Sequence, residues 1–251
     1  MSQLVKISIQ KQLWEIKNNK FKLFFGIIVN ILLLVFFYYS IFNQKDTKLL
    51  GLEYPVLILI YALLWLILSS FSQTSNIIAN EAKIGTIEQL IVSPYGIRKI
   101  MLIRLFLQSC ISIFFICIVL VISNQLTQNA GFFNIISFII TLIIGIFSLY
   151  GVGIILASIS LLSKEINMIN MIVKIGVLYL ILKFDTNLFI PFSYAKNILT
   201  ELLLNNKPIT AYPISYLALF LLNSLIFFVL GLVCFGFIEK FALKKGKLTG
   251  Y

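Results

Sequence analysis

Along the chain, long uncharged apolar stretches alternate with short clusters of charge. A helix needs about 20 apolar residues to cross the hydrocarbon core of a bilayer. Residues 23–44 supply one such stretch and 54–80 a second. From 105 to 163 there is no charge at all, a length suited to two spans joined by a tight turn. Asn124, Gln125, Thr127, Gln128, Asn129 and Gly131 mark that turn and divide the run into spans at 105–123 and 132–163. Lys164 and Glu165 close the pair, a fifth span is predicted at 166–182, and a sixth at 214–238. The pattern predicts an all-α polytopic membrane protein: one transmembrane domain over 1–251, six transmembrane helices and no soluble domain.

Three segments are not simple spans. In 1–22, Val5, Ile9, Leu13 and Ile16 fall on one helical stripe, flanked by Lys6 and Lys17 with Trp14 nearby. This predicts an amino-terminal helix lying in the membrane interface, its lysines reaching to headgroups. The segment 81–104 is the most informative. Gly85 breaks the helix leaving the second span, Thr86 and Gln89 form a capping-box pattern, and Pro94 stops the new helix after about two turns. A short capped helix at 86–93 is predicted, able to bury Ile87, Leu90 and Ile91 and to expose Glu88 and Gln89. In 183–213, Ser193 is placed to cap a helix over 193–205. Tyr194, Ile198, Leu199 and Leu202 would form one face, with Lys196, Asn197, Glu201 and Asn205 on the other. It is too short and too polar to cross, so a short external helix before span six is expected.

Charge sets the orientation. The net charge is +11, and most Lys and Arg lie on the side shared by the amino terminus, 81–104, Lys164 and the carboxyl-terminal tail. Both termini are therefore expected in the cytoplasm. Basic residues beside apolar spans point to topology and away from nucleic acid. Residues 1–22 are too polar for the apolar core of a cleaved signal. There is no histidine, which removes histidine-based nucleophiles, metal sites and proton relays; no catalytic, cofactor-binding or metal residue is assigned. Cys110, Cys117 and Cys234 sit in apolar runs and read as small packing residues.

Within the spans, Lys174 is a candidate for the substrate path because an ionisable residue inside a span is a functional candidate by default. Snorkelling to the inner interface is an equal reading. Gly151 and Gly153 are a second candidate for that path, with close helix packing the alternative.

Glu81, Gly85, Thr86, Ile87, Glu88, Leu90, Ser93 and Pro94 together resemble the E-x-x-x-G-T-[LI]-E-x-L-x-x-[ST]-P signature of type-2 ABC exporter permeases, the membrane subunits of drug, peptide, lipid and polysaccharide exporters. The layout resembles them over nearly the whole chain. The resemblance implies that 86–93 is the coupling helix seated in a groove of an ABC ATPase, and that Glu81, Gly85, Thr86, Ile87, Glu88, Leu90 and Pro94 serve that contact. It implies two ATPase copies, a second permease chain (identical or homologous), surrounding lipid, and residence in the cytoplasmic (inner) membrane of a bacterium. It likens 193–205 to the small external helices at the exit gate. No G-x-x-x-x-G-K-[ST] loop is present, so ATP and Mg are expected on a separate ATPase chain and none in this one. The G-T-[LI]-E motif points to an amphipathic drug, peptide or lipid. Heme or polysaccharide export and a stand-alone secondary transporter or channel remain the alternatives. A membrane-embedded enzyme finds no acid–base pair.

Overall fold

A computed structural model describes Gln10, Asn18, Ser93 and residues 96–126, 134–160, 167–184 and 186–244. Apart from Gln10, Asn18 and Ser93, the predicted interfacial helix 1–22, the predicted spans 23–44 and 54–80, the predicted coupling helix 86–93 and the turn around Asn129 lie outside the described residues. The regular structure among the described residues is all helical: α1 Gly96–Leu126, α2 Ile135–Ser160, α3 Asn167–Lys183, α4 Ser193–Asn205, a 3-10 turn at Ile209–Ala211, and α5 Ile214–Lys244.

Two of these helices are long and apolar enough to cross a membrane, over Ile135–Ile159 and Ile214–Ala242. At 1.5 Å per residue, the 25 residues of the first reach about 37 Å, beyond the ~30 Å of a hydrocarbon core. Asn134 starts α2: its side-chain Oδ1 accepts the Ser137 amide at 3.1 Å and its carbonyl accepts the Phe138 amide at 3.0 Å. Four hydroxyls of the apolar helices bond within their own helix, while Ser224 Oγ of α5 is buried without a partner among the described residues. Thr141 donates to the Ser137 carbonyl, Ser148 to Gly145, Ser158 to Ile155, and Ser109 to Phe106.

The helix that contains the predicted third span starts before that span does. The structure carries α1 back from 105 to Gly96, so Arg98, Lys99 and Arg104 belong to the helix. Charge ends an apolar run but does not end a helix, since Arg and Lys are good helix formers. What starts α1 is Gly96, with φ +69°, whose amide closes a turn on the Ser93 carbonyl at 3.0 Å. Helix α5 likewise runs past 238, the end of the predicted sixth span, to Lys244.

Among the described residues, helices α2 and α5 make the closest helix–helix contact. A Cβ on Gly151 would stand 2.1 Å from the Phe227 carbonyl oxygen, and one on Gly231 would stand 2.4 Å from the Gly151 carbonyl oxygen. Backbone therefore meets backbone at this crossing, which only glycine permits. Both helices run in the same direction. Ser137 and Tyr212 lie towards one end, the Gly151–Gly231 crossing in the middle, and Glu239 of α5 towards the other. Arg98, near the start of α1, pairs with Glu239, so α1 runs opposite to both. Tyr150 of α2 lies against Ser109 of α1 farther along. Val177 and Ile181 of α3 join the same buried cluster.

Candidate functional site

The chain is interrupted between α3 and α4. Helix α3 has 17 residues and reaches about 25 Å, short of a full crossing. It ends in an irregular turn, from which α4 starts. Phe192 and Ala195, where α4 begins, press on Gly145, whose Cβ would meet them at 2.6 and 2.7 Å. Past α4, the Ile209 amide donates to Ser137 Oγ at 3.3 Å. The chain thus climbs along α2 from Gly145 to Ser137, eight residues or about 12 Å of helix. The structure seats the first turn of α4 partway along α2. The buried face of α4 is Tyr194, Ala195, Ile198, Leu199 and Leu202.

Ser193 does not cap α4. Phe192 occupies the cap position in the left-handed region, with φ 66°, and no side chain caps the helix. Ser193 Oγ instead donates to the Asn187 carbonyl at 2.6 Å and accepts the Asn187 amide at 3.2 Å. Asn187 Oδ1 accepts the Phe189 amide at 2.9 Å. Tertiary contacts took the hydroxyl that helix chemistry alone would assign to a cap. From α5, the Asn223 amide donates to the Leu188 carbonyl at 2.9 Å and the Ile190 carbonyl at 3.1 Å. Lys196 Nζ donates to the Phe184 carbonyl at 3.3 Å.

Above the turn sits an aromatic group. Tyr212 stacks on Tyr216 at 5.0 Å and 22°, and Tyr194 tilts against Tyr216 at 5.3 Å. Asn197 Nδ2 donates to Tyr216 Oη at 3.2 Å. Lys207 lies 4.3 Å over the Tyr212 ring and 3.5 Å from Glu201. Burial, the Glu201 carboxylate and Tyr216 push the Tyr212 phenol up to about 12, so it stays neutral at physiological pH.

At the opposite end, Arg98 Nε donates to Glu239 Oε2, and the guanidinium lies over Gly236, whose Cβ would stand 3.1 Å from both terminal nitrogens. The clasp joins the start of α1, just beyond the 86–93 segment, to the last turns of α5.

Of the residues singled out in sequence, Glu81, Gly85, Thr86, Ile87, Glu88, Leu90 and Pro94 lie outside the described residues. Lys174 is half-buried on α3, and Gly151 and Gly153 are buried on α2. The backbone of α5 fills the space at Gly151. The cysteines are free; Cys117 and Cys234 are half-buried and Cys110 is exposed. Sequence reasoning passed over Asn223 and Arg98. Asn223 carried a signal, being an amide in the middle of the sixth apolar run. Arg98 carried none beyond its place in a basic cluster. Among the described residues there is no group of His, Cys, Asp or Glu able to hold a metal.

Long apolar helices, locally satisfied hydroxyls and a backbone-to-backbone crossing are the construction of a polytopic membrane protein. The family model of the ABC-2 type transporter matches residues 3–193, and the chain belongs to that family. It is an ABC transporter membrane permease, a non-catalytic transmembrane subunit. Comparison with curated proteins and with solved structures gives no match.

Proposed function

We propose that this chain is the permease subunit of an ATP-driven exporter, forming half of a substrate path and coupling it to a separate ABC ATPase. The family membership over 3–193 is the observation that carries the reading. In this reading six spans leave both termini in the cytoplasm of a bacterial inner membrane, with the Arg98–Glu239 end inward. The distribution of Lys and Arg supports that side. The helix over 86–93 receives the ATPase, with Glu81, Gly85, Thr86, Ile87, Glu88, Leu90 and Pro94 shaping the contact. Two permease chains and two ATPase chains make the complex, and ATP and Mg belong to the ATPase. The clasp of Arg98 on Glu239 supports the reading, because it offers a short path from that segment to α5.

The substrate in this reading is an amphipathic drug, peptide or lipid. Helix α4 and the aromatic group above it stand at the outer end of the path, and Lys174 is the ionisable group within it. Leu90→Asp tests the coupling. A charge buried without a partner costs several kcal/mol, so the variant should insert normally yet fail to co-purify with the ATPase. Full ATPase binding and full transport by Leu90→Asp would show that the coupling element is elsewhere.

A further inference from the structure

Irregular backbone is tolerated at membrane depth only where its polar groups find partners. The turn between α3 and α4 is irregular backbone, and its Leu188 and Ile190 carbonyls have left helical geometry. Both are taken by one side chain, Asn223 of α5. Asparagine suits the position because its amide nitrogen carries two hydrogens, one for each carbonyl. That requirement also fixes which way round the amide sits, since its oxygen could satisfy neither. Asn223 is 1% exposed, and its Oδ1 is buried with no partner. The residue is therefore committed to the turn, and among the described residues no other group competes for it.

The remaining ties act on the same few residues. Ser193 Oγ holds both backbone groups of Asn187. Phe192, fully buried, is held against Gly145 of α2. Pro191 brings no amide that would need a partner. The turn is thus fastened to α5 by hydrogen bonds and to α2 by packing, and α4 starts from that fixed point.

We propose that Asn223 is a positioning residue: by holding the Leu188 and Ile190 carbonyls it sets the break between α3 and α4, and so the place of α4 at the outer end of the transport path. That the break belongs to a transport path rests on the function proposed above. The hold itself rests on geometry alone, and the experiment reads only the hold, so its failure would leave that function standing.

The experiment uses the purified, detergent-solubilised full chain with Cys110→Ser, Cys117→Ala and Cys234→Ala. Ile190→Cys puts a thiol at a position 6% exposed in the turn, and Ala242→Cys puts one at a fully buried control far along α5. The rate of modification by a water-soluble maleimide is measured at each. Asn223→Leu, similar in size and unable to donate, should speed modification at 190 by about tenfold or more, as expected for two buried amide–carbonyl bonds. Asn223→Gln keeps the donor and should restore the rate to within about threefold, since it preserves the hydrogen-bonding group. The control at 242 should stay slow throughout. Asn223→Ala gives the same readings where the leucine variant fails to accumulate. An unchanged rate at 190 overturns the proposal. So does a parallel rise at 242, which would mean general loosening, or a glutamine variant as fast as leucine, which would assign the effect to packing.

Discussion

Helices α2 and α5 are both strongly apolar, run in the same direction and touch at Gly151 and Gly231, yet they live in different surroundings. The apolar window of α2 is 61% buried within the molecule, while that of α5 is only 22% buried. On α2 the buried positions include Thr141, Gly145, Ser148, Gly151 and Ser158. On α5 the buried stripe is narrow and holds Phe220, Asn223, Ser224, Gly231 and Phe235, while Leu221, Leu225, Val229 and Val233 face outward. Hydrophobicity does not distinguish the two helices, because lipid is as apolar as a protein core. What distinguishes them is where small and hydrogen-bonding residues fall, since these allow close approach and supply partners.

The sharpest way to break the comparison is to put a large side chain at the crossing. Gly231→Leu should abolish accumulation of folded protein in membrane extracts. The atom it would strike is backbone, which cannot turn aside, so the cost should exceed the ~1–3 kcal/mol usual for overpacking. Val229→Leu, on the outward face of the same helix, should leave the size-exclusion profile unchanged. Equal behaviour of the two variants would show that the crossing does not organise the fold.

A milder effect is expected where α5 meets α1 by charge. Arg98 is partly exposed while Glu239 is largely covered, so the pair should be worth about 1 kcal/mol or less. Arg98→Glu should lower the midpoint of thermal unfolding by a few degrees. Adding Glu239→Arg should recover most of the loss, and failure of the double variant to improve on the single would assign the effect to the contact with Gly236.

The smallest effect concerns the end of α5 beside Tyr212. Its phenol is pushed from the ordinary 10 up to about 12, with burial the main cause. The folded chain therefore holds this proton more tightly than the unfolded chain. The contribution is fully present below pH 10 and is lost as pH rises through about 12. Stability measured from pH 9 upward should fall more steeply in the parent than in Tyr212→Phe. Parallel curves would show that Tyr212 does not titrate in the folded range.

The apolar runs made the helical class legible in sequence, because lipid imposes a length and a hydropathy that few other structures need. The family signature over 81–94 was legible for a different reason: it is a local run of residues. The start of α1 was not legible, since it depends on the backbone of Gly96 and not on where charge ends. Ser193 looked like a cap because its local sequence suits one, and the turn at Asn187 claimed it through a contact that no helical pattern encodes. Asn223 stood out as an amide in an apolar run, but its two carbonyl partners lie 33 and 35 residues away, so its task could be seen only in three dimensions.

The Gly151–Gly231 crossing also sets a problem of timing during synthesis. The two glycines are 80 residues apart (231 − 151). At roughly 5–20 residues per second, a ribosome needs about 4–16 s to pass from one to the other. Throughout that interval α2 stands without the helix that fills its groove of small residues. The nascent protein must spend seconds with this surface covered by lipid or by an insertion factor, and the crossing forms only when α5 displaces it.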